Sequence, residues 1–304
     1  MRPLLHEIIS PYQSTFVPGR WIAENSIMVH EVMDSLKKLK GRDGFVGLKL
    51  DMSKAYDRIE WCFLEKTMAS FGFVSKFIQL VMKCISSVSF SILLNGGPLK
   101  QFPPGRGLRQ GDPISPYLFI LCNEVLSRLL LQKEAEGLIS GFKVSRLSPS
   151  ISHLMFANDL FICCKANRAE VGAVMDCVNL YSSWSGQRLN IQKSAYICST
   201  NVPSNTQLDL AHYLGFRKLN KEDRFLGNPI IWSNSKVNDL KFIKEKVCSK
   251  IEGWRCKLLS QAGRSTLIRA VAQSSPIYSM ATFLIPKTLC TEMDQAGWAK
   301  LQEV

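Results

Sequence analysis

The sequence lacks a long uninterrupted apolar stretch. No run reaches the length of about 18 residues that a membrane-spanning helix needs, so no membrane partner is expected. Residues 1–12 also lack the continuous apolar centre of a secretory signal peptide. We therefore expect an intracellular protein, either nuclear or cytoplasmic.

Paired cysteines are missing as well, although the chain contains ten cysteines. No two of them have the Cys-x-x-Cys spacing of a zinc site, and the four histidines form no ligand pattern with them. A disulfide framework is typical of much shorter secreted chains. The cysteine pattern therefore argues against both a zinc protein and a disulfide-stapled one, and favours a reducing compartment.

Acidic residues are scarce relative to basic ones. The chain has 25 Asp and Glu against 38 Lys and Arg, which gives a formal net charge of +13. Such a surplus favours a polyanionic partner, although a basic protein with a solvated surface remains the alternative. Because 46% of the residues are hydrophobic, the composition is that of a globular protein rather than a disordered one.

Apolar spacing and turn residues predict a mixture of helices and strands. Helices are predicted at residues 21–40, about 53–70, 76–85, 115–137 and 168–186. Strands are predicted at 45–50 and 87–95, with a hairpin at 151–165 and a strand pair near 194–198. Gly72 is predicted to end the second helix and Ser115 to cap the fourth. From Lys236 to Arg269 a helical pattern carries nine Lys and Arg against three Asp and Glu, which predicts a boundary near 232–236.

Two aspartates stand where polar side chains could meet at one edge of a sheet. Asp51 closes a buried-looking strand, and Asp159 lies at the polar tip of the predicted hairpin. Carboxylates so placed can hold Mg²⁺, and a pair of such ions stabilises the attacking and leaving oxygens of phosphoryl transfer. Taken alone, the two aspartates are better explained as cap or turn residues.

Three segments resemble, in order, the catalytic motifs of LINE-type (non-LTR) retrotransposon reverse transcriptases. They are LDMSKAYD (50–57), GLRQGDPISP (107–116) and FAND (156–159), where the family carries FADD in the last motif. Four flanking segments resemble the family's fingers, fourth motif, primer grip and plant-type thumb: YQSTFVPGR (12–20), GQRLNIQKS (186–194), FLGNP (225–229) and LLSQAGR (258–264). Seven ordered matches across nearly the whole chain make it similar to a truncated, plant-type member of this family.

The resemblance implies an α+β fold of the right-hand polymerase type. The palm, an antiparallel sheet with helices on one face, would span about residues 41–200, beside partial fingers that include sequence from 70–110. Residues 1–235 would form the fingers and palm, and residues 236–304 a helical thumb-like segment. The basic stretch at 236–269 would lie along the primer–template backbone, or else form a solvated helical face.

The same resemblance assigns the catalytic positions to Asp51, Asn158 and Asp159, with Mg²⁺ held by Asp51 and Asp159. It implies RNA-directed DNA polymerisation by two-metal phosphoryl transfer, with an RNA template, a DNA primer and deoxynucleotides as partners. Tyr56 would pack against the incoming sugar and exclude a 2′-hydroxyl, unless it is only a core aromatic residue.

Further nucleotide- and template-binding positions follow from the flanking motifs. Gln110 and Gly111 would line the nucleotide and template pocket, or belong to an ordinary surface turn. Lys193 would lie near the leaving pyrophosphate and Arg20 would contact the nucleotide phosphates. Both cations could equally be solvated surface charges.

The chain departs from the family at Asn158, where an amide replaces a metal-binding carboxylate. An amide oxygen can coordinate a cation but brings no negative charge, so we expect a weakened Mg²⁺ site.

Only residues 1–11 precede the fingers-like segment, which predicts incomplete fingers, and no endonuclease, ribonuclease H or Cys/His knuckle is recognisable.

Three hypotheses follow from the sequence. The first is an RNA-directed DNA polymerase domain impaired by Asn158, and the second is a catalytically dead nucleic-acid-binding relic of such an element. The third, a basic structural protein, conflicts with the ordered motifs. The sequence leaves open the template, the oligomeric state and whether a partner supplies missing parts.

Overall fold

The computed structural model describes residues 2–233, 235–252 and 260–302. The chain divides into two compact units. The first comprises residues 1–25 and 31–219, and the second comprises residues 26–30 and 220–304. Each unit is described separately below, and the domain boundary predicted near 232–236 stays a prediction.

The first unit combines a sheet with several helices, as the sequence pattern predicts. Its helices are α1 (Leu5–Ile8), α2 (Ile22–Lys38, whose residues 26–30 cluster with the second unit), α3 (Ala55–Arg58), α4 (Trp61–Ser70), α5 (Ser75–Ser86), α6 (Ser115–Ala135), α7 (Arg168–Ser185) and α8 (Ser204–Leu214). Its strands are β1 (Phe45–Asp51), β2 (Leu93–Leu94), β3 (Gly97–Pro98), β4 (His153–Phe156), β5 (Asp159–Lys165), β6 (Ala195–Cys198) and β7 (Arg217–Lys218).

Strand β1 occupies the centre of a five-stranded sheet with the order β4-β5-β1-β6-β7. It pairs antiparallel with β5 on one side and with β6 on the other. Strands β4 and β5 form an antiparallel hairpin, and the short β7 joins β6 in parallel. The predicted α+β architecture with a mainly antiparallel sheet is therefore confirmed.

The core lies between one face of this sheet and helices α4 to α7. Alternate residues of β1 and β5 are fully buried there, as period-2 alternation requires. The buried residues include Val46, Leu48 and Leu50 of β1, Leu160, Ile162 and Cys164 of β5, Leu64 and Met68 of α4, Val81 of α5, Leu118 and Leu126 of α6, and Val174 and Val178 of α7. Each such aliphatic side chain contributes about 1.5–3 kcal/mol when buried, so this layer fixes the orientation of the opposite residues of β1.

The helix predicted over residues 53–70 is wrong in one respect, because it is interrupted. Helix α3 ends at Arg58 and α4 begins at Trp61. At the break, the Ile59 carbonyl accepts from the Gly107 N–H at 2.8 Å, and the Glu60 N–H donates to the Ser185 carbonyl at 3.0 Å. These tertiary bonds replace helical ones. Gly72 does end the second of the two helices, with φ +83° just after the C-cap Phe71.

Three other local predictions need correction. The strand at 87–95 shrinks to Leu93–Leu94, which pairs across the Asn95–Gly96 turn, while Phe90 makes only an isolated bridge to Phe102. Near 194–198 there is one strand, β6, whose long partner is β1 rather than a neighbour in sequence. Ser115 is the first residue of α6, and Ile114 occupies the cap position.

The second unit is built from a small hairpin and helices. Its elements are β8 (Arg224–Phe225), β9 (Asn228–Pro229), α9 (Lys236–Glu252), α10 (Gln261–Leu267), α11 (Ser274–Met280) and α12 (Lys287–Gln302), with a π-helical turn at Ile268–Ala272. Leu240, Ile243, Ile285 and Leu289 form one of its buried clusters. No helix among the described residues is both long enough and apolar enough to span a bilayer.

Candidate active-site cleft

Asp51 and Asp159 face each other across the two central strands of the sheet. The β1–β5 register pairs them directly, so their side chains project from the same face, with Cα atoms about 4.5–5.5 Å apart. Burial raises the pKa of Asp159, and the neighbouring Asp51 carboxylate raises it further, while Lys49 and Lys193 oppose the shift. The predicted meeting of a strand end and a hairpin tip therefore occurs in the structure.

Asn158 lies in the two-residue turn between β4 and β5. The turn begins with Ala157 at φ +52°, in the left-handed region that residues with a Cβ rarely adopt. A buried side chain stabilises the conformation of this turn, because the Asn123 side-chain amide donates to the Ala157 carbonyl at 2.7 Å. The Tyr181 hydroxyl in turn donates to Asn123 Oδ1 at 2.9 Å. A relay of buried side chains from α7 and α6 thus sets where residue 158 lies.

A cleft of about 550 Å³ opens beside these residues. Asp51 and Asn158 both line it, whereas Asp159 is not among the lining residues. The full lining consists of Asp51, Met52, Ser53, Lys54, Ala55, Tyr56, Arg58, Gln110, Asn158, Asn190 and Lys193. Residues from three of the sequence motifs and from the loop at 186–194 therefore share one concave surface.

Tyr56 lies on the wall of this cleft and packs flat against a core residue. Its ring stacks on Phe119 of α6, with ring centroids 4.5 Å apart and planes inclined by 12°. Burial raises the pKa of its hydroxyl. The Tyr56 carbonyl also accepts from the Leu108 N–H at 2.8 Å, which ties the Gly-rich loop at the start of the second motif (residues 107–111) to α3.

The Gly-rich loop passes close to the first motif. Gly107 has φ +90°, and a Cβ at this position would lie 2.8 Å from the Asp57 carbonyl oxygen, so a side chain is excluded. Gln110, exposed in the same loop, lines the cleft. Gly111 follows with φ +86° and open space around it, and it is outside the lining.

Lys193 reaches the cleft from a loop that is bonded to the end of β1. The Asn190 N–H donates to the Asp51 carbonyl at 2.8 Å, and the Asp51 N–H donates to Ser194 Oγ at 3.3 Å. Lys193 itself is exposed, and its N–H donates to Asn190 Oδ1 at 3.3 Å. The loop therefore delivers a cation beside Asp51.

Arg20 lies elsewhere in the first unit and is not among the residues that line the cleft. Its guanidinium donates to the backbone carbonyls of Ile9, Ser10 and Gln13. Burial lowers the pKa of this guanidinium, with Glu124 and Glu24 opposing the shift. In this structure Arg20 organises the backbone of the segment from Ile9 to Gln13.

The remaining motif segments fall in the second unit. Residues 225–229 lie in the β8–β9 hairpin. Asn228 is fully buried there, and its side-chain oxygen accepts from the Ser279 hydroxyl at 2.9 Å. Of the thumb-like segment at 258–264, residues 258 and 259 lie outside the described residues. The same holds for residues 253–257 of the predicted basic stretch, which begins with helix α9.

The donor set at the cleft is poor for Mg²⁺. Asp51 supplies the carboxylate, Asn158 supplies an amide, and Asp159 is largely buried with a raised pKa. Within the described residues no group of three or more His, Cys, Asp and Glu side chains is placed to hold a metal ion. Mg²⁺ sites of phosphoryl-transfer enzymes use carboxylates together with substrate phosphates, and Asp51 is the one carboxylate that lines the described cleft.

Comparisons with known proteins place the chain among polymerases. Residues 1–218 match the family model described as "Reverse transcriptase (RNA-dependent DNA polymerase)". The transposon TX1 149 kDa protein of Xenopus laevis is 24% identical over 99% of this chain, which covers 22% of that protein. The Pol polyprotein of the Drosophila melanogaster type-2 retrotransposable element R2DM is 28% identical over 67% of this chain and 20% of its own length.

Two further matches are one that covers a short part of the chain and one of low sequence identity. An uncharacterised mitochondrial protein of Arabidopsis thaliana is 55% identical over 22% of this chain and 55% of its own length. A structure of apo telomerase from Candida tropicalis aligns with 98% of this chain and 53% of that chain, at 14% identity and a TM-score of 0.48. The chain thus spans from about a fifth to about half of the curated relatives named here.

Proposed function

We propose that this chain, which belongs to the reverse transcriptase family and is of the non-LTR retrotransposon type, is a polymerase domain. In this domain Asn158 impairs phosphoryl transfer. The observation that carries this proposal is the place of Asn158. It lies in the cleft beside Asp51, where the family motif has a carboxylate. Tyr56, Gln110 and Lys193 line the same cleft.

The proposed ligands are an RNA template, a DNA primer and deoxynucleotides. The net charge of +13 supports a polyanionic ligand, because Lys and Arg displace counterions from a nucleic-acid backbone. Tyr56 is proposed to face the sugar of the nucleotide, since its stacked and half-buried ring has little freedom to move aside. Gln110 and Lys193 are proposed to meet the base and the phosphates, because both line the same cleft.

Divalent ions supply charge stabilisation in this family, and Asp51 and Asp159 are the residues proposed to hold Mg²⁺. The geometry supports only a weakened site. Asp159 pairs with Asp51 in register, yet it does not line the cleft, and burial raises its pKa. The chain's own groups can therefore bind and orient a nucleotide better than they can complete the metal centre.

Primer extension tests this proposal. We expect the Asn158→Asp variant to extend a DNA primer on an RNA template in Mg²⁺ at least about 100-fold faster than the natural chain, because a restored metal ligand lowers the barrier by several kcal/mol. The matched control is Asn190→Asp, which adds the same charge to the same cleft outside the FAND segment and should gain nothing. Equal extension by the natural chain and Asn158→Asp would refute the proposal.

A second candidate function is that of a catalytically dead nucleic-acid-binding relic. The poor donor set at the cleft favours it. It predicts that the natural chain binds an RNA–DNA hybrid, with an affinity that falls linearly with salt on a logarithmic scale, while neither the natural chain nor Asn158→Asp extends a primer. Extension restored by Asn158→Asp would exclude this alternative.

A further inference from the structure

The charges that line the cleft are predominantly positive. In the described structure, Lys54, Arg58 and Lys193 line it together with Asp51 as the one carboxylate. None of the three cations forms a salt bridge with another described residue. In a partly enclosed space such an excess of positive charge attracts an anion strongly.

Two hydrogen-bond donors of the cleft residues also lack partners. The Nε–H of Arg58 is buried and has no hydrogen-bond partner among the described residues, a costly state that an anionic ligand could relieve. Asn158 makes no side-chain hydrogen bond within the described part of the chain, so its NH₂ group can donate to a phosphate oxygen. An aspartate at this position would instead repel the same oxygen.

We propose that the cleft binds the triphosphate of a deoxynucleotide without a divalent cation. This inference rests on the proposed function, which supplies the class of ligand, and it follows from the mismatch between the residues present and a two-metal site. In a carboxylate-rich site Mg²⁺ must neutralise the repulsion between acid groups and phosphates. Here Lys54, Arg58 and Lys193 neutralise the phosphates directly, and Asn158 contributes a donor where the motif's aspartate would contribute a charge.

Equilibrium dialysis of dTTP against the purified chain in EDTA tests this directly. We expect saturable binding in EDTA that Mg²⁺ does not tighten, and competition by inorganic tripolyphosphate. We expect Asn158→Asp to bind dTTP about tenfold more weakly in EDTA and to regain affinity when Mg²⁺ is added, because the new carboxylate lies within a few ångströms of the phosphates. A requirement of the natural chain for Mg²⁺ would overturn the inference.

Variants of the cations locate the binding site. We expect Lys193→Gln and Lys54→Gln each to weaken dTTP binding in EDTA about fivefold or more, and Lys193→Arg to retain it. The matched control is Lys76→Gln on α5, an exposed lysine outside the cleft, which should bind as the natural chain does. Equal binding by all of these variants would place the nucleotide elsewhere on this basic chain and would also overturn the inference.

The same preparations separate this inference from the proposed function. Binding of an RNA–DNA hybrid and the gain of primer extension by Asn158→Asp depend on the proposed function alone. If both are observed while dTTP fails to bind in EDTA, only the metal-independent site is wrong. If neither is observed, the proposed function fails, whatever the result with dTTP.

Discussion

Asn123 and Ala157 are joined by a hydrogen bond of 2.7 Å that runs from a side chain of α6 to the backbone of the turn carrying Asn158. Asn123 is buried, and its Oδ1 already accepts from Tyr181. We therefore expect Asn123→Ala to lower the free energy of unfolding by about 1–3 kcal/mol, because it leaves buried polar groups without partners. Urea unfolding at pH 7 measures the change.

The matched comparison uses Tyr181→Phe, which removes only the hydroxyl of the relay. It should cost about 1 kcal/mol, since one buried hydrogen bond is lost and the ring remains packed. Ser183→Ala on the exposed side of α7 should leave the midpoint unchanged. If Asn123→Ala unfolded at the natural midpoint, the turn would not depend on this relay.

The second prediction concerns pH and His153. Burial lowers the pKa of this histidine to about 3. Its ring nitrogens lie 2.7 Å from Ser127 Oγ and 3.1 Å from Ser152 Oγ. The unfolded chain takes up a proton near the ordinary pKa of about 6.5, whereas the folded chain does not, so stability falls as the pH drops from about 6.5 towards 3.

From this difference we expect the free energy of unfolding to be about 2 kcal/mol lower at pH 5 than at pH 8. His153→Gln keeps hydrogen-bonding groups for both serines and does not titrate, so its stability should change much less over the same range. Urea unfolding at the two pH values measures both proteins. A loss of equal size in His153→Gln would show that other groups cause it.

Much of the site could be predicted because it depends on short-range pattern. Asp51 ends a buried strand, and Asp159 lies at the polar tip of a hairpin. The two side chains come together if both elements belong to one sheet, and the β1–β5 register pairs the two residues directly. Asn123 could not be predicted, because it is a lone polar residue within an apolar helical run and its sequence position gives no hint of its partner in the turn.

The strand predicted at 87–95 shows a different limit. Its alternating apolar residues fit the period of a strand, yet strand pairing needs a neighbour with free backbone groups. Leu93 pairs with Pro98 and Leu94 with Gly97 in a strand pair two residues long, and both leucines are exposed. Likewise, no pattern in sequence shows that Arg20 donates to three backbone carbonyls, and its predicted contact with nucleotide phosphates stays a prediction.

The third prediction separates these two roles of Arg20. Lysine keeps the charge but cannot reproduce the planar set of donors that reaches Ile9, Ser10 and Gln13. We expect Arg20→Lys to lose about 2 kcal/mol of unfolding free energy and to exchange amide hydrogens faster across residues 9–13. Arg42→Lys, at an exposed position, is the control. Weaker dTTP binding with unchanged stability would favour the phosphate-binding role instead.

The fourth prediction concerns Mg²⁺ and stability. In Asn158→Asp a third carboxylate joins Asp51 and Asp159, so like-charge repulsion should lower the free energy of unfolding by about 1 kcal/mol in EDTA. Mg²⁺ should then raise the melting temperature of this variant, because it binds the folded state in preference to the unfolded state. The natural chain and Asn190→Asp should show little Mg²⁺-dependent shift. Shifts of equal size in all three proteins would contradict the assignment of residue 158 to a metal site.

Strand β1 is hydrogen-bonded on both sides, and the loop carrying Asn190 and Ser194 closes over its end. The backbone of Asp51 is therefore held without any contribution from the side chain of residue 158. An asparagine codon differs from an aspartate codon at a single nucleotide. The loss of catalysis that we propose for this substitution would therefore be open to reversion by a point mutation, because the backbone bonds that hold Asp51 do not depend on which residue stands at position 158.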